Sequence, residues 1–235
     1  MRSIAKLMKD WQFTGPNGVT TAVELPHTWN AKDGQDGGND YWRGCCTYCT
    51  RFAAPVYDPA QQQVWLQFEG VNASAAVLLN GQQLCTHDGG YSTFRAEVTE
   101  LLQAENQLTV RVDNSVNDRV YPQKADFTFY GGIYRDVSLL VVNKNHIALG
   151  HFGDTGVKIT PALQENSADI RVETLVEGSG TVTVELLDAE GRTVAKGEGE
   201  NASLHLDAPH LWNGVKDPYL YTCIVRLLQD GQTVD

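Results

Sequence analysis

Long apolar runs are missing from this chain: no stretch approaches the ~18 apolar residues that a membrane-spanning helix requires. Residues 1–13 also lack the uninterrupted apolar segment of a signal peptide, which points to the cytoplasm. Clustered basic residues are missing too. With 18 Lys and Arg against 29 Asp and Glu, a net charge of −11, and no basic patch, the chain repels phosphate backbones and anionic lipid. Nucleic acid and membrane are thereby set aside as partners. Cysteine is scarce, and its five copies, Cys45, Cys46, Cys49, Cys85 and Cys223, are odd in number and bunched, which excludes a disulfide framework. Cys46 and Cys49 form a C-x-x-C, but a β-like run follows from Thr47 where a redox thiol needs a helix start. No second pair completes a zinc site. All five read as buried, reduced thiols. The nucleophile signature G-x-S-x-G and the metalloprotease signature H-E-x-x-H are both absent, and paired acids that meet only in space leave no trace in spacing. Composition therefore locates no catalytic site.

Helical periodicity is nearly absent as well; one short piece, residues 97–103, reads as helix. Period-two alternation takes its place. Val64, Leu66 and Phe68 alternate with Trp65, Gln67 and Glu69, and the pattern returns at Leu108, Val110 and Val112 and at Val137, Leu139 and Val141. Asn80-Gly81 suits a two-residue hairpin turn, whose central residues need positive φ, so residues 77–84 read as a hairpin. Many short strands without intervening helices predict an all-β fold of sandwich type. The strand series closes near Asn143-Lys144-Asn145, which divides the chain into domains 1–143 and 144–235. The second domain has strands expected at 156–160, 168–177, 181–187, 193–197, 202–207 and 219–229. Turns every 8–12 residues over about 90 residues fit an immunoglobulin-like sandwich, without the Cys and Trp pattern of antibody domains. A turn-like Asp230-Gly231 so near residue 235 suggests that this sandwich lacks its last strand. The strand at 219–229 would then offer an open edge, which makes a homo-oligomer a candidate assembly.

Two stretches could carry chemistry. Residues 33–42, Asp33-Gly34-Gln35-Asp36-Gly37-Gly38-Asn39-Asp40-Tyr41-Trp42, set carboxylates and an amide beside two aromatics. Such a mixture can bind sugar hydroxyls while an aromatic face covers the C–H surface. An oxygen-lined Ca²⁺ site and a solvated Gly/Asp turn are the alternatives, although the twelfth position from Asp33 is Gly44, not the Glu of an EF-hand. The second stretch, residues 126–137, presents Asp126 ahead of Phe127-Thr128-Phe129-Tyr130-Gly131-Gly132 and then a strand. Arg135 and Asp136 point to opposite faces of that strand and should not pair with each other; Arg135 reads as a structural hydrogen-bond or ion-pair partner. His27, in Pro26-His27-Thr28-Trp29, reads as a turn hydrogen-bonder.

Taken in order, the pieces Leu25-Pro26-His27-Thr28-Trp29-Asn30, Tyr41-Trp42-Arg43-Gly44, Phe68-Glu69-Gly70-Val71-Asn72, Leu79-Asn80-Gly81, Gly89-Gly90-Tyr91, Gly132-Ile133-Tyr134-Arg135-Asp136-Val137, Leu211-Trp212 and Asp217-Pro218-Tyr219-Leu220-Tyr221 cover nearly the whole chain. Together they resemble the N-terminal half of glycoside hydrolase family 2, the β-galactosidase and β-glucuronidase group. The resemblance implies a jelly-roll sugar-binding domain, an immunoglobulin-like domain and then a (β/α)₈ barrel that holds the acid/base and nucleophile glutamates of a retaining hydrolase. A barrel needs ~250 residues of alternating strand and helix, which this chain does not contain. The chain alone is thus expected to be inert, with its own barrel as partner in the intact protein and a β-galactoside or related glycoside as substrate. By position in the family, Asp126 corresponds to an aspartate that contacts galactosyl hydroxyls and helps hold Na⁺. Asn39 with Asp40 corresponds to an amide-bearing loop that also touches the sugar. The resemblance implies no cofactor within this chain, and leaves Na⁺ or Mg²⁺ to the intact enzyme. Two rivals from other classes are a free-standing carbohydrate-binding module, with Trp42, Tyr41 or Tyr130 as an aromatic platform, and a structural or oligomerising unit.

Overall fold

The computed structural model describes residues 2–31, 41–121 and 128–235. It is an all-β protein: among the described residues the helical pieces are single 3₁₀ turns at Thr99–Leu101 and Gly214–Lys216, and no helix is long and apolar enough to cross a membrane. The chain divides into two compact units, Ser3–Val141 and a second that joins Arg2 to Val142–Asp235.

In the first unit one sheet runs Thr20–Val23, Trp11–Thr14, Cys45–Ala53, Glu105–Asp113, Ser74–Leu79 and Gln82–Asp88 in spatial order. The other runs Ser3–Lys6, Val137–Asn143, Gln62–Phe68 and Phe94–Glu97. Alternation dictates what lies between them. Cys46, Tyr48, Thr50 and Phe52 turn inward from one strand, and Leu108, Val110 and Val112 from its neighbour, with Val110 opposite Tyr48 in the register. They meet Val64, Leu66, Phe68, Val137, Leu139 and Val141 in a single core. The jelly-roll sandwich is therefore built from the alternating residues read in the sequence. Trp65 is buried as well, and Val137–Asn143 is buried along all but its last residue, so these two strands are covered on both faces. The hairpin forms as expected, with Asn80 at φ 52° and Gly81 at φ 84° between Ser74–Leu79 and Gln82–Asp88.

The second unit packs a sheet of Val157–Leu163, Ser167–Thr174 and Asn201–Asp207 against one of Thr193–Glu198, Thr181–Leu187, Thr222–Gln229 and Gln232–Thr233. Ile170, Val172, Val182, Val184, Leu204 and Leu227 fill the space between them in the immunoglobulin-like manner. Asp235 is tied in by Arg2, whose Nε and Nη2 donate to it at 3.1 and 2.6 Å, and by the Ile147 backbone N–H at 2.9 Å.

Three expectations change. The helix over residues 97–103 shrinks to the turn Thr99–Leu101, because partners on the flanking strands capture its backbone. The Val98 N–H donates to the Val64 carbonyl at 2.9 Å, Leu102 is extended, and the Asn106 side chain takes both the N–H and the carbonyl of Gln103. The cysteines are all free, but only Cys46 is buried; Cys45 is exposed and the others lie between, since Cys45 and Cys46 fall on opposite faces of one strand. The edge at residues 219–229 is partly closed, because Gln232–Thr233 folds back on Leu228 and Gln229.

Candidate functional site

All three sequence-derived sugar contacts, Asn39, Asp40 and Asp126, lie outside the described residues. What the structure provides is the framework from which their two segments emerge, and that framework is one connected set of hydrogen bonds. Asn30, fully buried, is its centre. Its Nδ2 donates to the Trp42 carbonyl at 3.0 Å, so the two ends of the segment that carries Asn39 and Asp40 are tied together. Its Oδ1 accepts the Gly131 N–H at 2.8 Å and Asn114 Nδ2 at 3.2 Å. Asn114 in turn accepts the Gly44 N–H at 2.9 Å. One side chain at the start of the first segment thus binds that segment's end, the backbone just after the second, and Asn114. A buried amide with two acceptor lone pairs and two donors can do this, whereas a hydrophobic residue would strand three partners.

The motif that precedes Asn30 is docked on the same strand. His27 and Trp29 donate backbone N–H groups to the Ile133 and Gly131 carbonyls at 2.8 and 3.2 Å, and Thr28 Oγ1 donates to Gly131 at 2.8 Å. Only glycine tolerates this approach at two consecutive positions. A Cβ at Gly131 would enter the Trp29 ring, and one at Gly132, where φ is 137°, would lie 2.8 Å from the Tyr48 hydroxyl. His27 Nδ1 and the Tyr48 hydroxyl share a hydrogen bond at 2.7 Å. Burial pushes the His27 pKa down and the Tyr48 pKa up, so both partners are neutral at pH 7. His27 is a hydrogen-bonder, as expected, but its ring bonds to Tyr48 on the strand Cys45–Ala53 and not within a turn of its own.

On the other side of Gly131, Asn72 Nδ2 donates to the Tyr130 carbonyl at 2.8 Å. The Tyr134 hydroxyl donates to the Gly90 carbonyl, and Arg135 Nη1 donates to the Tyr91 and Glu69 carbonyls at 3.1 and 3.4 Å. Arg135 is thus a structural hydrogen-bond donor, while Asp136 pairs with Lys6 at 2.6 Å on the opposite side.

The aromatics named as a binding platform are engaged. Trp42 meets Trp29 edge-on at 5.9 Å, and the Arg43 guanidinium lies 4.8 Å above the Tyr41 ring and 5.8 Å from that of Phe129. Tyr130 keeps 41% of its surface exposed. An open cleft of about 500 Å³ runs alongside, lined by Phe13, His27, Thr28, Trp29 and Ala31 among others. Among the described residues no three His, Cys, Asp or Glu side chains gather as a metal-ligand set. The thiol of Cys46 faces the core, and burial pushes its pKa up to about 12, which leaves it unreactive at neutral pH.

Asn30, Asn72 and Asn114 are the residues that sequence reasoning did not single out. Asn30 and Asn72 each close a motif that was noticed; Asn114 carried no local signal, because its partners are 70 and 84 residues away.

Comparison with known proteins agrees with this geometry. Residues 38–162 match the family described as glycosyl hydrolase 2 galactose-binding domain-like, and residues 151–235 match glycosyl hydrolases family 2. A β-glucuronidase from Bacteroides fragilis is 33% identical across 97% of this chain, which spans 36% of that relative. A β-galactosidase from Thermoanaerobacter pseudethanolicus is 28% identical over 74% of this chain and 25% of its own length. The crystal structure of an FMN-binding β-glucuronidase from Facaelibacterium prausnitzii L2-6 superposes with a TM-score of 0.93 at 35% identity, covering all of this chain and 38% of that one. The chain thus spans little more than a third of these relatives at most. With both of its units matched in order, the chain belongs to glycosyl hydrolase family 2.

Proposed function

We propose that this chain is the non-catalytic N-terminal portion of a retaining, β-galactosidase-like β-glycosidase. In this reading the first unit helps position the terminal sugar, and the second supports the catalytic barrel. The observation that carries it is the Asn30 network, which roots both candidate segments in one place by three polar contacts to three parts of the chain. Such preorganisation is what a substrate-positioning loop requires, because a side chain that must be ordered at binding gives back affinity in entropy. Asp126 accepts from sugar hydroxyls in this proposal, and Asn39 with Asp40 accepts and donates from the neighbouring segment. None of them breaks the glycosidic bond. That step belongs to two glutamates of a barrel, one nucleophile and one acid/base, which an all-β chain of this length does not contain. The 235-residue chain alone is therefore inactive.

The test is Asp126→Ala in the intact enzyme. Loss of a charge-assisted hydrogen bond at the sugar should lower kcat/KM for a β-galactoside by about 10- to 100-fold and raise KM. Unchanged kinetics would remove Asp126 from the site.

A β-glucuronide is the second substrate reading, favoured by the names of the relatives from Bacteroides and Facaelibacterium. Assay of the intact protein on matched nitrophenyl β-galactoside and β-glucuronide separates the two, and the larger kcat/KM names the substrate.

A further inference from the structure

The open cleft of about 500 Å³ in the first unit lies between residues 27–31 and the turn that joins Trp11–Thr14 to Thr20–Val23. Its size falls within the ~300–1,000 Å³ of small-molecule sites. Three rings line it. Phe13 and Trp29 stack at 6.0 Å with their planes 18° apart, and the His27 ring lies 4.8 Å from Phe13. Val19, 55% exposed, adds an aliphatic surface.

The polar groups of the cleft are uncharged, and hydrogen bonds elsewhere decide which of their atoms it receives. Among the described residues the Tyr48 hydroxyl has His27 Nδ1 as its hydrogen-bond partner, at 2.7 Å. A buried hydroxyl without an acceptor is costly, so Tyr48 gives its proton to Nδ1 and the neutral imidazole carries its own proton on Nε2. Nδ1 is thus spent on the core, and the Nε2–H is the donor left for the cleft. Asn17 repeats the pattern: its Oδ1 accepts the Val19 N–H at 3.1 Å, which leaves the two Nδ2 donors. Thr21 adds a hydroxyl that can donate and accept.

These features select a ligand. Aromatic rings cover a C–H surface, and the donors around them need a partner rich in hydroxyls. Among the described residues no Asp, Glu, Lys or Arg lines the cleft, and the chain carries a net charge of −11. A uronate or phosphate would therefore find no cation and a repelling field, while a flat apolar molecule would leave the donors unpaired. We propose that this cleft binds a neutral β-linked disaccharide, with one pyranose against the Phe13, His27 and Trp29 rings and its hydroxyls on His27 Nε2, Asn17 Nδ2 and Thr21 Oγ1. This is a binding function beyond the positioning reading; it uses none of Asn39, Asp40 and Asp126 and needs no barrel.

The test is a titration of the 235-residue chain with lactose, cellobiose and sodium glucuronate, followed through the Trp29 indole N–H and the His27 ring resonances. At least one disaccharide should shift both saturably with one shared Kd, on the order of 1 mM, and glucuronate should bind at least about tenfold more weakly. His27→Phe keeps a ring but removes the donor, and should weaken disaccharide binding at least about fivefold. Asn17→Ala, on an exposed turn, should weaken it about threefold and keeps the test open if His27→Phe disturbs the fold.

No shift from either disaccharide up to about 100 mM would overturn the proposal. So would shifts that map away from His27 and Trp29, or binding of glucuronate or nitrophenol as tight as that of the disaccharides. Hydrolysis plays no part in the titration. Absence of β-glycosidase activity in the intact enzyme would thus overturn the functional reading and leave the cleft standing, and an unoccupied cleft would leave the functional reading untouched.

Discussion

The two units differ in where they place their asparagine amides. In the first, Asn30, Asn72, Asn106 and Asn114 are buried and spend their amides on backbone groups or on one another. In the second, prominent polar clusters lie on sheet surfaces: His205 between Asp169 and Asp207, and Glu185 between Lys196 and Arg226. The difference is one of consequence. A buried amide has no water to fall back on, so its partners are held as firmly as the core, whereas surface ion pairs exchange freely with solvent. These amides fix Trp42 and Gly131, the described residues that flank the two candidate segments. The second unit shows the complementary exposure, with Leu211, Trp212 and Leu220 outward on a segment braced by His210, Tyr219 and Tyr221.

The sharpest way to break this comparison is to remove one amide. Asn30→Leu keeps the approximate volume but leaves the Gly131 N–H, the Trp42 carbonyl and Asn114 Nδ2 without their partner. A loss of about 3 kcal/mol or more is expected in urea unfolding of the first unit. A loss below about 1 kcal/mol would mean that water replaces the amide and that the segment roots are not fixed by it. Asp169→Ala is the matched change in the second unit, where it removes the 2.6 Å partner of His205. Because the pair is exposed, the melting midpoint should scarcely move; a shift as large as that of Asn30→Leu would erase the distinction between the units.

What could be read from the sequence follows the same division between local and distant. The Asn80-Gly81 turn and the alternating strands of the second unit were legible, because positive φ and period-two burial are properties of neighbouring residues. The 97–103 segment misled for a related reason: its helical character was local, but the Val64 carbonyl and the Asn106 side chain, both on neighbouring strands, took its backbone groups. Recognition of the motifs around His27, Gly89 and Gly132 picked out pieces that meet in the fold. It could not show that these motifs serve chiefly to grip one another, since Tyr134 with Gly90 and Asn114 with Asn30 are juxtaposed only by folding. Arg135 does act as a structural donor and takes partners different from those of Asp136, although both residues lie in the bend between Gly132–Ile133 and Val137–Asn143 and not on the strand expected there.

The smallest expected effect concerns protons, and it carries opposite signs in the two units. Burial pushes the pKa of His27 and His87 below the ordinary 6.5, against partial compensation of His87 by the Gly89 carbonyl and Asp88. The Asp169 carboxylate, joined by Asp207, raises that of His205. For His27 and His87 the unfolded chain binds the proton more readily. Their contribution is therefore neutral above about pH 6.5 and becomes destabilising as pH falls below it. For His205 the folded state binds more readily, so its stabilisation is present below about pH 6.5 and is lost as pH rises through the folded value. Carboxylates are already ionised across pH 5.5–7.5, so histidines dominate this window. Ring proton resonances should give His27 and His87 midpoints below 6.5 and a His205 midpoint above it. Melting of the first unit should accordingly weaken on going from pH 7.5 to 5.5, while the second unit holds or gains slightly. Three superimposed titration curves would show that His27 and His87 reach water in solution, and the packing of His27 on Tyr48 beneath Gly132 would then be looser than its 2.7 Å hydrogen bond implies.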